Sequence, residues 1–592
     1  MSLSVVLFIL CSHTQKKKKM EKVGLAGVLL LLLLFSRGYA QVDAFSKSGE
    51  VAYRFFSNGE ENKDAGRLVL RYADGIARLV ADNPGKQLIP EVPGEESCLD
   101  YGSAKIYRMA SFQNGDRIYM DENFAPADGF KTDGTTEKIL GYTCLKYTGT
   151  SFSNRIELWV TQDAGILGTP NLMFPFPEGL VLKYVRNENS SIVATKIDIH
   201  RKNKGTSLMP PDMGKEVSAV NYRLRLANAF VKDIPVFRDQ QINWGAKIDN
   251  PQGECGDYVY RYAGGTLVLK RVALPDVPDG TSVFAELKQQ SNGDAYDRTG
   301  CVFVVPVDQP RSFLDGLKFG LDSLPEYISK QGKIYQGVTA TDNYSPIIEL
   351  MRFFTPFGIH YFNNKRDVGI QWEDTTLYKQ DVTDLLPVLR GETWIGVFIG
   401  NYDGGGHKVS LHLKYYLNNR EVPAHPNKKY WIKPVFTTTN VMEMAGQEYP
   451  TMFKDDTLRV RFDVPDGVTN VTFRYISTGH GGWGEGDEFV QKTNEIFIDS
   501  KPFFKYTPWR TDCATHRAYN PASGNFWNGM SSSDYSRSGW CPGTVSGPLY
   551  MPVKSLAPGK HTIQVYIPQG DPEGNMFSAW NISGIFIGEM EQ

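Results

Sequence analysis

Apolar and polar residues alternate along much of this chain with a period of two. Val409-Ser410-Leu411-His412-Leu413-Lys414-Tyr415 is the clearest instance, and Leu458–Val464 and Thr562–Ile567 repeat it. Successive side chains of a strand point to opposite faces, so the pattern predicts strands with one buried face. Further strands are expected at 50–56, 67–72, 76–81, 104–112, 116–119, 155–160 and 180–184, and near the C-terminus at Val471–Ile476 and Ile496–Ile498. Leu68–Tyr72 runs into Asp74-Gly75, a two-residue hairpin signal. More Asp-Gly pairs stand at 128–129, 279–280, 403–404 and 466–467. Only Pro346–Arg352 and Val382–Leu389 read as short helices. Many short strands with turn punctuation predict an all-β protein built of sandwiches or half-barrels.

A chain of 592 residues is too long for one core, and its length suggests about three or four domains. Residues 200–216 are polar with a Pro210-Pro211 pair, and 418–429 form a second polar break containing Pro423 and Pro426. These breaks divide the chain into modules at 41–205, 230–420 and 421–592, with 206–229 as a linker. Residues 1–40 read as a signal peptide. Lys16–Lys19 and Lys22 are its basic region, Leu29–Phe35 its apolar run, and Gly38-Tyr39-Ala40 its cleavage site. Met20 is an alternative start. The apolar run is too short to span a bilayer comfortably, and no cysteine follows the cut to carry a lipid. The mature chain is therefore expected to be exported, periplasmic or secreted, with no membrane span.

Cysteine usage agrees with export. Beyond Cys11, which leaves with the signal, Cys98, Cys144, Cys255, Cys301, Cys513 and Cys541 remain. Six cysteines allow many connectivities. Sequential pairing inside each module (98–144, 255–301, 513–541) is the economical one, and free buried thiols are the alternative. No C-x-x-C occurs, which argues against a thiolate zinc site. The balance of 64 basic and 66 acidic residues gives no reason to expect nucleic acid as a partner.

Two segments carry candidate chemistry. Ser477–Asn494 packs five glycines into eight residues beside Trp483 and three acids, Glu485, Asp487 and Glu488. Carboxylates beside an indole make a plausible sugar-facing surface, although the bare composition is first that of a glycine-rich hairpin connection. Gly479–Gly484 also fits G-x-G-x-x-G, but no helix or parallel βαβ unit follows. Asp294-Ala-Tyr-Asp297-Arg298 places acids next to a cation, which would hold them ionised if the charges meet. Alone, it reads as a surface ion pair. There is no G-x-S-x-G, H-E-x-x-H or Walker loop, and the nine histidines contain no H-x-H pair. His360 and His480 are isolated and read as structural.

Two resemblances add to this. In the first module, Leu140–Cys144, Ile156–Val160 and Phe174–Leu182 look like a family of exported half-barrel domains similar to lipoprotein carriers. Phe176-Pro-Glu-Gly-Leu-Val181 approximates that family's Gly-Leu-Pro-Gly-Leu-Ile motif. Such a bowl could bind an apolar or extended ligand, or serve as a spacer. Over about 230–592 the chain resembles the amidases of the peptide-N-glycosidase F type. The resemblance rests on Asp294–Arg298, on Phe353–Gly358 with Asp381–Asp384, on Ser477–Gly481 with Gly486–Phe489, and on Ser536-Arg-Ser-Gly-Trp-Cys-Pro-Gly543. Cys513 sits where the partner of Cys541 is expected.

The resemblance implies two adjacent antiparallel eight-stranded jelly rolls, preceded in this chain by the half-barrel-like domain. It implies hydrolysis of the amide joining Asn to the first sugar of an N-glycan, converting Asn to Asp and releasing a glycosylamine. No metal or cofactor is implied. The expected partners are N-linked glycoproteins and glycopeptides, and the expected state is a monomer. Asp297 matches the family's essential acid, Glu488 its second carboxylate and Arg298 an adjacent site residue. Arg537 and Trp540 match residues lining the sugar pocket. Trp483, His480, Glu485 and Asp487 join them as candidate substrate contacts. In this scheme Asp297 manages the proton, Arg298 sets its charge state and Glu488 holds the sugar side. The chain departs from the pattern at Gly486 and Val490, where cysteines are expected, and at Phe489, where a Trp is expected. A third acid is missing near Gly400-Asn401. Two other classes compete: a non-catalytic glycan-binding jelly-roll protein, and a copper monooxygenase, which the scattered histidines disfavour.

Overall fold

The computed structural model describes residues 47–82, 93–124, 129–201, 207–278, 280–358, 372–417, 429–481, 486–554, 556–572 and 577–590. The expected signal peptide, His360, Trp483 and Glu485 lie outside the described residues. Among the described residues no helix is long and apolar enough to cross a membrane. The chain divides into two compact units, one covering most of the first 222 residues and the other the remainder.

The first unit is a single 13-stranded sheet, antiparallel except at one edge. Asp74 and Gly75 both take positive φ, at 53° and 79°. That is the geometry a tight hairpin needs between strands Arg67–Ala73 and Ile76–Asp82. Tyr53, in the middle of the sheet, lies within electrostatic reach of both Tyr101 and Cys144. Tyr101 follows strand Gly94–Asp100 and Cys144 lies in strand Tyr142–Ser151, far apart in the sheet order, so the sheet curls around the core that Val51, Leu70, Leu99 and Cys144 share.

The second unit holds two β-sandwiches. In the first, strands Val231–Ile242, His407–Tyr416, Ser282–Ser291 and Thr376–Asp381 face a sheet of Tyr260–Tyr262, Leu267–Leu274, Gly391–Ile399, Thr299–Val305 and Ile348–Phe354. The second roll has eight strands. Lys429–Thr437, Ala579–Met590, Val468–His480 and Leu549–Pro552 form one sheet, and Leu458–Val464, Gly559–Tyr566, Asn494–Ile498 and Lys501–Tyr506 the other. The Asp-Gly pairs at 403–404 and 466–467 pass the chain from one sheet of a roll to the other.

Several expectations are corrected. Ile348–Phe354 is a strand rather than a helix. Its seven residues are all buried, with Glu349 and Arg352 among apolar neighbours, and so short a buried stretch fits a strand as well as a helix. Val382–Leu389 does coil, as the 3-10 turn Thr383–Val388. Within the stretch expected as a linker, Lys215–Glu216 pairs with the first unit's sheet and Ala219–Ala229 is helical. Among the described residues, cysteine pairing is limited to Cys513–Cys541. Cys98, Cys144 and Cys301 are buried thiols and Cys255 is exposed. Cys98 cannot meet Cys144 because its strand neighbour Leu99 faces the core that holds Cys144, and alternate residues of a strand point to opposite faces. Cys255 lies in an exposed loop while Cys301 is in a buried strand.

The two rolls are interlocked. Val338 and Ala340, from the first half of the unit, pack into the second roll's core. Val545–Ser546, from the second half, extends the first roll's sheet by pairing with Ile348–Phe354. Between them lies a buried polar seam. Arg352 and Glu349, both fully buried, form a two-pronged ion pair at 2.9 and 2.6 Å. Arg352 also donates to Thr439 at 2.8 Å, Thr478 at 3.3 Å and the Asn581 carbonyl. Arg474 of the second roll donates to the carbonyls of Glu349 and Leu350. Removing one partner of a buried pair strands the other charge. Glu349→Ala should therefore lower unfolding free energy by about 3–5 kcal/mol, read from urea unfolding monitored by tryptophan fluorescence.

Candidate active site

The loop carrying Asp297 joins strands Ser282–Ser291 and Thr299–Val305 and is fixed at several points. Gly293 has φ +151°, and a Cβ there would lie 2.6 Å from Asp403, so only glycine passes comfortably. Thr355 Oγ1 accepts from the Arg298 amide at 2.7 Å and donates to the Tyr296 carbonyl at 2.8 Å. Arg298 pairs with Asp294 at 2.8 Å. Burial would raise the Asp294 carboxyl, but the nearby His407 ring, 3.4 Å away, and the Arg298 hydrogen bond hold it down at about 2.

Glu488 comes from the glycine-rich stretch. The strand before it continues to His480, further than the Val471–Ile476 run suggests. A Cβ on Gly481, at φ +98°, would stand 1.9 Å from the Phe577 carbonyl oxygen. The glycine therefore lets the chain leave the strand against its neighbour's backbone. The Glu488 amide then donates back to Gly481, and its carbonyl accepts from Ser538 at 2.9 Å. Ser538 belongs to the Ser536–Gly543 segment, which the Cys513–Cys541 disulfide ties down.

Asp297 and Glu488, 191 positions apart, meet on a single nitrogen. Arg537 Nη1 donates to Asp297 Oδ2 at 2.9 Å and to Glu488 Oε1 at 2.6 Å. Arg537 Nη2 donates to the Ser532 carbonyl at 2.8 Å. The guanidinium carbon sits 4.3 Å from the Trp540 ring and 5.0 Å from that of Phe489, a stacking geometry suited to a planar cation. Arg537's side chain is 2% exposed, whereas both carboxylates keep 18% of theirs open to solvent. Desolvation dominates both acids. It raises the Asp297 carboxyl despite Arg537. It pushes Glu488 up to about 7, again against Arg537 and with help from the negative charge of Asp297. At neutral pH the pair therefore retains a proton that two free carboxyls would have lost.

The structure reassigns several expected contacts. Arg537, expected only to line the sugar pocket, is the cation that both acids touch, while Arg298 is bonded to Asp294. Asp487 does not face the site. Its carboxylate is fully buried and accepts from Trp580 Nε1 at 2.6 Å and the Gly570 amide at 2.9 Å. Trp540 is 3% exposed and packs between Phe354, centroids 4.2 Å apart, and Arg537. It has no open face for a sugar and supports the arginine instead. His480 bonds Thr478 at 2.8 Å and packs against Phe354 and Trp540. Burial, reinforced by Arg352 and Arg537, lowers it to about 3, so the ring is neutral. Phe354 lies in the Phe353–Gly358 segment but was not singled out as a site residue, and the Ser532 carbonyl had no sequence signal because it is a main-chain atom.

Two jelly rolls with paired carboxylates held at their seam by one buried arginine define the class of this protein. Residues 233–415 match the family described as Peptide-N-glycosidase F, N terminal, and residues 448–587 match Peptide-N-glycosidase F, C terminal. Residues 51–224 match N-glycanase peptide, N-terminal domain. The chain is similar to PNGF-II solved in space group P21, with 42% identity and a TM-score of 0.79 over 92% of this chain and 100% of that one. The C2 crystal form of PNGF-II gives 42% identity and a TM-score of 0.71, over 92% and 99%. PNGase F, a glycosylasparaginase from Flavobacterium meningosepticum, is 16% identical over 61% of this chain and 96% of that one, with a TM-score of 0.41. No curated protein matches the chain. The chain belongs to the peptide-N-glycosidase F family.

The shifted acid has a measurable consequence. Below pH 4.5, the ordinary value for Glu, Glu488 is protonated in both folded and unfolded chains. Between pH 4.5 and about 7 the unfolded chain loses that proton while the folded one keeps it, so stability falls as pH rises. The melting temperature of Glu488→Gln relative to the parent should therefore move in the variant's favour across this window and level off above it, as read by scanning calorimetry at stepped pH.

Proposed function

We propose that this protein hydrolyses the amide bond between Asn and the first N-acetylglucosamine of N-linked glycoproteins and glycopeptides. Water adds to the side-chain amide carbon, the carbon–nitrogen bond breaks, and the nitrogen takes a proton. Asp remains in the peptide and the glycan leaves as a glycosylamine. The observation that carries this reading is the shared contact of Asp297 and Glu488 with Arg537 Nη1, at a place where both acids reach solvent.

Amide hydrolysis needs a base for the attacking water and an acid for the leaving nitrogen. A carboxyl raised by burial can accept the water's proton and return it. We assign that cycle to Asp297, with Arg537 restraining its charge. Glu488 holds the sugar side by hydrogen bonding, directly or through a water. Arg298, locked to Asp294, shapes the loop. We further propose that the N-terminal sheet, the first roll and the second roll are three modules of an exported monomer, and that the reaction runs without a metal.

The test is digestion of a glycoprotein, with and without a chelator, in water enriched in heavy oxygen. The expected result is glycan release in both cases, with Asn converted to Asp and one heavy oxygen in the new carboxylate. Binding without release would favour a lectin-like jelly-roll protein instead. Asp297→Asn should keep the fold and lower the release rate about 100- to 10,000-fold, and undiminished release would show that Asp297 does not carry the proton.

A further inference from the structure

Gly486–Phe489 is a four-residue turn with Asp487 and Glu488 at its centre, closed by the Phe489 amide donating to the Gly486 carbonyl at 3.1 Å. Its two central side chains go different ways. Glu488 reaches Arg537, and Asp487 enters the interior of the second roll. Some of the main-chain bonds that hold the turn are long. The Glu488 amide lies 3.3 Å from the Gly481 carbonyl and the Asp487 amide 3.3 Å from Ser578 Oγ, although Ser538 donates to the Glu488 carbonyl at 2.9 Å.

The Asp487 carboxylate is tied more firmly. Its Oδ2 accepts from Trp580 Nε1 at 2.6 Å, and the Gly570 amide donates to Oδ1 at 2.9 Å and to Oδ2 at 3.1 Å. Lys492 Nζ, the cation facing it, stands 3.8 Å from Oδ1. Trp580 lies in strand Ala579–Met590 and belongs to the core of the second roll, so the bond joins the turn to that core. Burial pushes the Asp487 carboxyl up, while Trp580, Gly570 and Lys492 stabilise its charge. A Cβ on Gly570 would lie 2.8 Å from Oδ1, so a larger residue at 570 would press on the carboxylate.

An apolar side chain could fill this space without the cost of desolvating a carboxylate. What the carboxylate adds is direction, because its bonds are satisfied in one orientation. Asp487 and Glu488 share one planar peptide, so holding the first limits where the second can point. We propose that Asp487 is a positioning residue: anchored on Trp580 and Gly570, it sets where Glu488 meets Arg537. Without the anchor the turn shifts and Glu488 rehydrates. Its carboxyl then loses the burial that, with the charge of Asp297 beside it, raises it against the pull of Arg537. The consequence for glycan release rests on the amidase reading; the positioning itself does not.

Asp487→Ala should lower the melting temperature in any case, because Trp580 Nε1 and the Gly570 amide lose their acceptor. The pH dependence isolates positioning from that loss. With Asp487 present, Glu488→Gln gains stability relative to the parent between pH 4.5 and about 7. In the Asp487→Ala background the folded-state value of Glu488 drops towards 4.5, so the same gain should shrink by about half or more, read by scanning calorimetry at stepped pH. Asp487→Asn keeps one acceptor and should recover part of the gain. For a glycopeptide, kcat/KM should fall about 10- to 100-fold in Asp487→Ala and partly return in Asp487→Asn. An undiminished gain in folded Asp487→Ala overturns the positioning role, whatever the loss of melting temperature. If Asp487→Ala does not fold, Gly570→Ala decides in its place, with the same narrowing expected and an undiminished gain again fatal. If the parent releases no glycan but the gain shrinks, positioning stands and the amidase reading falls. If the parent releases glycan and the gain keeps its size, positioning falls alone.

Discussion

One cation serving two carboxylates is the constraint around which this molecule is arranged. Arg537 is almost fully buried, so its charge must be matched within its own shell, and Asp297 and Glu488 both meet its Nη1. A single guanidinium cannot fully compensate two desolvated carboxylates. Retaining a proton on the pair relieves that imbalance, which is why both acids are raised although each touches an arginine. The rings of Phe489 and Trp540 keep Arg537 from swinging out to water, where the competition would disappear.

Such a contact requires the two rolls to hold their relative position closely, since the acids come from different rolls. The interlocking provides this. Strand Val545–Ser546 leaves the Arg537 segment and joins the first roll's sheet, so the residue that bears the cation is built into both sandwiches. Beneath it, the Glu349–Arg352 pair and Arg474 fill the seam with directional bonds that an apolar interface would lack. A hydrophobic seam of the same size tolerates sliding, whereas these donors and acceptors are satisfied in one register.

The departures from expectation have a common origin. Asp487 and Glu488 are adjacent, yet one anchors Trp580 inside the roll and the other faces the pair. Trp540 lies in the most distinctive motif of the chain and serves as packing beneath the arginine. Cys98 and Cys144 are comparable in spacing to a bonded pair but face opposite sides of a sheet. In each case residue identity was visible, and orientation was not.

What the amino-acid order settled alone was local. The two-residue alternation at Val409–Tyr415 and Leu458–Val464, the Asp74-Gly75 turn and the all-β class follow from short-range sterics and from which face is apolar, and these operate within a few residues. The Asp294–Arg298 and Ser536–Gly543 segments were recognisable as site material for the same reason. The tertiary structure alone decided that Arg537 rather than Arg298 bonds Asp297, and that Ile348–Phe354 is a buried strand. Those outcomes depend on which strands become neighbours and how much water is excluded between them. Such contacts join residues tens to hundreds of positions apart, and no local pattern encodes them.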